Sequence, residues 1–211
     1  MAVDLQTALD MGMSEAQLAE VRELGEEAAW SLSTAKTGFP VDHLRDGSTE
    51  TYWQSDGPQP HLVNIQFPKK MAITHLALHV DYRHDESYTP RTLSLRIGTN
   101  YHDLVELEVV ELDQPAGWVV IPLRTAAAAA RAARRAEALE NGEEPDDDDA
   151  ADLDAVVRTN FLQVAVVSNH QNGRDTHIRQ MRVFGPKRSV ALPGHIPHFG
   201  TVEMQQFAIL R

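Results

Sequence analysis

Apolar residues in this chain return at every second position, and they do so in several separate stretches. Val63, Ile65 and Phe67 share one side of an extended segment, as do Leu76, Leu78 and Val80, then Leu93, Leu95 and Ile97, then Val105, Leu107 and Val109. Side chains alternate sides along a strand, so a period of two gives each trio a single buried face. Residues 118–123 and 161–167 are apolar without alternation, the pattern of strands covered on both faces, and residues 179–184 add another β-prone run. No crossover helices separate these runs, which excludes a βαβ sheet and leaves two packed antiparallel sheets. Seven or eight short strands, punctuated by turn signals such as Asp46-Gly47, predict a β-sandwich or jelly roll. With 211 residues the chain has room for one such core plus tails.

The rest of the chain lies around that core. Ser14-Glu15-Ala16-Gln17 has the form of a capping box, and Leu18, Val21 and Leu24 follow at helical spacing, predicting a short helix over residues 14–25. Residues 1–27 therefore read as an N-terminal extension, 28–186 as the domain and 187–211 as an extended tail. Residues 126–155 interrupt the strand rhythm with an alanine-rich half followed by Asp146-Asp147-Asp148-Asp149. That segment has no apolar stripe and reads as a solvated surface insertion. The tail ends in the apolar-then-basic Phe207-Ala208-Ile209-Leu210-Arg211.

Charge and motif content narrow the function. The net charge is −12, of which residues 126–155 account for −7, and an acidic surface argues against nucleic acid as a partner. The absence of cysteine removes disulfides and thiolate metal sites. A leader and an apolar span are not apparent, giving the expectation of an intracellular chain without a membrane partner. The nucleophile elbow, the phosphate-cradling loops and His-Glu-x-x-His do not occur, so no catalytic residue, metal or cofactor is expected.

What remains is a binding surface. Residues 169–179, Asn169-His170-Gln171-Asn172-Gly173-Arg174-Asp175-Thr176-His177-Ile178-Arg179, crowd directional side chains between two strand-like runs. Amides, a guanidinium fork, a carboxylate and two imidazoles together suit recognition of a polar ligand. Two more polar clusters occur at Thr51-Tyr52-Trp53-Gln54-Ser55-Asp56-Gly57 and at Asp81-Tyr82-Arg83-His84-Asp85-Glu86-Ser87-Tyr88-Thr89-Pro90. Trp53 and Tyr82 read as packing residues, whereas Gln54, Ser55, Asp56, Glu86, Ser87 and Tyr88 read as candidates for a partner. Loops from non-adjacent strands gather at one end of a jelly roll, so the three clusters are expected to form one surface.

Taken together, these clusters, with Trp30-Ser31-Leu32-Ser33 and the stretch from Gln59 to Phe67, resemble the Doc-domain family typified by subunit ten of the anaphase-promoting complex. The resemblance spans residues 28–185 outside the insertion. It implies a galactose-binding-like jelly roll, not itself an enzyme, acting inside a multisubunit ubiquitin ligase of the cell cycle, in the nucleus and the cytoplasm. There the family helps an activator subunit hold the destruction-box degron of substrates and makes ubiquitination processive. Carried onto this chain, the degron-binding residues are Asn169, His170, Asn172, Arg174, Asp175 and His177, with weaker matches at Ser55, Asp56 and Ser87. The family also ends in Ile-Arg, which docks in the tetratricopeptide groove of a scaffold subunit. Here the corresponding residues are Ile209, Leu210 and Arg211, a Leu-Arg ending. The alternative on the same fold is a carbohydrate-binding module.

Overall fold

The computed structural model describes residues 12–125, 130 and 156–187. The insertion, apart from residue 130, and the tail with Ile209, Leu210 and Arg211 lie outside the described residues. In chain order the elements are helix α1 (Glu15–Glu20), strands β1 (Val21–Glu23), β2 (Ala29–Leu32), β3 (Trp53–Gln54), β4 (His61–Ile73) and β5 (His75–Asp81), and a one-turn helix α2 (Tyr82–Asp85). Strands β6 (Pro90–Gly98), β7 (Val105–Glu111), β8 (Ala116–Pro122), β9 (Val157–Asn169), β10 (His177–Ile178) and β11 (Gln180–Pro186) follow.

All strand pairs are antiparallel. One sheet has the order β1-β11-β5-β8, the other β2-β4-β9-β6-β7, and a two-stranded ribbon pairs β10 with β3. Between the two large sheets lies one core, in which Trp53, Ile65, Leu78, Leu95, Leu162 and Val164 have no exposed surface. Trp53 is also satisfied as a polar group, since its indole N–H donates to the Thr34 carbonyl at 3.0 Å. Packing of this kind contributes roughly 1.5–3 kcal/mol per large apolar side chain.

Most of the alternating trios face the core as their spacing implies; β7 does not. Val105 and Val109 are exposed, while Leu107 and Val110 pack inward. The cause is a bulge. The register shifts between Leu95, opposite Glu108, and Arg96, opposite Glu106, so Leu107 is the extra residue and the alternation changes phase there. The capping box at Ser14 is formed, yet α1 stops at Glu20 rather than running to residue 25. Val21 leaves the helix in an extended conformation to start β1, which pairs with β11 from Val21 opposite Pro186 to Glu23 opposite Phe184. Met13, Leu18 and Val21 then cover Trp118, Val120 and Phe184 on the outer face of the four-stranded sheet. That is why residues 118–123 read as covered on both sides. Leu24 enters the main core, so the folded unit extends to the N-terminal side of residue 28.

The sandwich has two distinct ends. Strand β9 starts beside Ile73 and finishes beside Pro90. Arg124 and Val156, the residues flanking the insertion, form a bridge at its starting end. Lys187, just past β11, bonds the Glu20 carbonyl at that same end. The three polar clusters occupy the opposite one.

Candidate binding surface

The segment that follows β9 folds back over the end of the sandwich and is fastened there from several sides. The Asn169 amide donates to the Asp175 carbonyl at 2.7 Å, and His61 Nε2–H to the Arg174 carbonyl at 2.6 Å. Gln59 reaches the Gly173 carbonyl at 3.0 Å. Thr176 is bound on two sides, its N–H to Ser55 Oγ at 2.8 Å and its hydroxyl to the Tyr88 carbonyl at 3.2 Å. Gly173 lies so close to the Ser87 backbone that a Cβ would fall 1.7 Å from the Ser87 carbonyl oxygen. These contacts draw the clusters around residues 55, 87 and 173 into one surface, as expected from a jelly roll. Gly173 is required here for close approach rather than for turning, since its φ of −59° suits any residue.

His177 sits at the centre. The alternation of β10 points His177 and Arg179 to the same side, where both meet Asp85. His177 Nδ1–H donates to Asp85 Oδ1 at 3.1 Å, while Arg179 forks onto the same carboxylate through Nε at 3.0 Å and Nη2 at 2.9 Å. Burial alone would push the Asp85 carboxyl up, but the hydrogen bonds from His177 and Arg179 and their charges outweigh it and hold it below the ordinary aspartate range. The imidazole is stacked between two rings, Tyr52 tilted by 27° and Tyr88 by 13°, each with its centroid 4.2 Å away, and Phe39 extends the stack beyond Tyr52 at 4.9 Å. Arg179 also lies over Tyr52 and donates to the Thr49 carbonyl, tying the 43–51 loop to the same cluster. Gln180 completes that tie by donating to Asp46 at 2.7 Å.

The sequence-derived site residues divide into two groups. Asn169, His170, His177 and Ser55 are buried and form the frame of the surface. Asn172, Arg174 and Asp56 are exposed, while Asp175 and Ser87 are half-buried. The 169–179 segment thus sends more side chains inward than its polarity suggests, and the imidazole of His177 is oriented by Asp85, not by its sequence neighbour Asp175. Sequence reasoning passed over Asp85, Arg179, Thr176, Gln59 and His61. The His-x-Arg spacing of a strand, with an acid in the facing cluster, was the available signal for the first two.

The model of the family described as anaphase-promoting complex, subunit 10 matches residues 6–208. The chain belongs to this family. It shares 44% identity over 200 residues with the subunit 10 of Drosophila melanogaster, covering 94% of this chain and 89% of that one. The subunit 10 of Homo sapiens is 42% identical over 191 residues, covering 90% and 89%, and that of Schizosaccharomyces pombe is 33% identical over 189, covering 89% and 87%. A subunit of the anaphase-promoting complex is thus what the fold and these residues belong to. Among solved structures, the family 32 CBM from C. perfringens NanJ in complex with galactose superposes with a TM-score of 0.55 at 8% identity, over 78% of this chain and 98% of that one. CBM32 domains of Clostridium perfringens ZmpB give 0.59 at 7%, over 88% and 40%. Such likeness establishes the galactose-binding-like jelly roll of the subunit 10 family and does not extend sugar binding to this chain.

Proposed function

We propose that this chain is the non-catalytic degron co-receptor of its complex, holding the destruction box of substrates beside the activator subunit and so favouring processive ubiquitination. The observation carrying this reading is the surface fastened around Gly173, where Asn172, Arg174 and Asp56 stand exposed on a frame fixed from three loops. A polar binding face held in advance binds an extended peptide without first paying to order itself. Arg174 offers a planar fork and Asn172 an amide, both suited to main-chain carbonyls, while Asp56 and Asp175 accept from N–H groups. The test is the double variant Asn172→Ala, Arg174→Ala, assembled into the complex. Degron affinity and the length of ubiquitin chains should fall while assembly and folding persist; undiminished processivity would refute the reading.

The Doc-domain resemblance supports two further proposals. Ile209, Leu210 and Arg211 dock in a tetratricopeptide groove of a scaffold subunit, burying Leu210 for roughly 1.5–3 kcal/mol while the groove pairs the guanidinium of Arg211. A truncation at Ala208 should then co-purify with the scaffold more weakly than the full chain; equal recovery at the same salt would show that the tail does not dock. The chain works in the nucleus and the cytoplasm, and imaging of a tagged chain that found it in neither would overturn that placement.

A further inference from the structure

Tyr88 is 39% exposed, yet both its ring and its backbone are engaged. Its ring lies 13° from parallel on His177, its carbonyl accepts from Thr176, and the residue before it carries the close contact with Gly173. His177 in turn cannot rotate, because Tyr52 closes its other face and Asp85 holds Nδ1. An aromatic ring that is both exposed and fixed in advance loses little freedom on binding, the property that makes tyrosine a frequent interface hot spot. Gly173 brings its segment against Ser87, the residue before Tyr88, and the exposed side chains of its chain neighbours Asn172 and Arg174 have no hydrogen-bond or ionic partner among the described residues. Resting on the degron reading above, we infer that Tyr88 is the apolar contact of this face: its ring seats one apolar side chain of the bound extended peptide. Asn172 and Arg174 take the main-chain oxygens beside that side chain. Donors and acceptors strung along a loop that packs against the residue preceding one exposed aromatic ring match the alternating groups of an extended chain better than a lone sugar.

The test uses the assembled complex with its activator and a destruction-box peptide in which each apolar residue is replaced by alanine in turn. Tyr88→Leu should weaken the parent peptide about tenfold, the order of an aromatic contact at an interface. The loss should couple to one peptide position, whose alanine replacement costs nothing further in the variant. Tyr88→Phe keeps the stack on His177 and should bind like the wild type, which separates contact from folding. Wild-type affinity in Tyr88→Leu, or an equal loss for every peptide, overturns the inference, as does displacement of the peptide by galactose. If Arg174→Ala weakens the peptide and Tyr88→Leu does not, the platform is wrong and the degron reading stands; if neither does, both fail.

Discussion

Replacing Gly173 by alanine puts the assembly of the binding face under direct test. The added Cβ would lie 1.7 Å from the Ser87 carbonyl oxygen and 2.6 Å from its carbon, and that obstacle is backbone, which cannot swing away. Reaching even 3.0 Å requires the two segments to part by about 1.3 Å. The hydrogen bonds from the His170 N–H to the Thr89 carbonyl and from the Thr176 hydroxyl to the Tyr88 carbonyl span that contact, and that from Gln59 holds the Gly173 carbonyl on its other side; they cannot all survive the movement. Overpacking costs roughly 1–3 kcal/mol and each lost hydrogen bond about 0.5–1.5, so a total near 2–4 kcal/mol is expected. For a domain of this size that lowers the melting temperature by roughly 5–15 °C. Backbone strain contributes nothing, since φ at this position is −59°. Thermal unfolding of the full chain by circular dichroism, with degron affinity measured in the assembled complex, gives both readouts. A melting temperature within about 2 °C of the wild type together with unchanged affinity would show that the close approach of residues 87 and 173 does not hold the face together.

Acid should weaken the same region. The Asp85 carboxyl is held below its ordinary range in the folded state, so its contribution to stability is complete above the ordinary aspartate pKa and is lost as pH falls through the lowered value. Asp85→Asn should remove that part of the pH dependence and destabilise by about 3 kcal/mol, because Arg179 loses its buried partner; a pH–stability curve parallel to the wild type would contradict this. Asn172→Ala and Arg174→Ala should leave the melting temperature within about 2 °C, whereas His177→Ala, which empties the space between Tyr52 and Tyr88, should lower it by several times as much; equal effects would refute the division into frame and contact residues. Arg124 and Val156 already face each other across a bridge, so a short linker replacing residues 126–155 should shift the melting temperature by less than about 5 °C, and a larger fall would mean the segment supports the fold.

The alternation of β4, β5 and β6 made the sandwich legible in the sequence because a buried face on one side of a strand imposes a period of two. Where a single residue broke the period, as at the Leu107 bulge, the pattern still said strand but assigned the wrong face. Helix α1 was legible through its cap and misjudged in length, since Val21 and Leu24 serve strand pairing and the core equally well at helical spacing. That the three polar clusters meet at one end of the sandwich was readable from the sequence; which of their side chains turn inward was not. Burial of Asn169, His170 and His177 depends on partners up to ninety-odd residues away, such as Asp85, and polarity alone cannot distinguish a side chain that meets a ligand from one that holds the backbone beneath it.

The course of β9 has a consequence for how the molecule is carried. Thirteen residues of strand at about 3.3 Å each place some 40 Å between the bridge at Val156 and the face at Asn169. The chain also leaves β11 at Lys187 on the distal side, next to Glu20. Whatever grips the polypeptide beyond residue 187 therefore pulls on the pole farthest from Tyr88 and Arg174. A partner holding the chain there would meet the sandwich as a spacer, and changing the length of the segment next to residue 187 would change how far the opposite end reaches without touching the side chains at that end.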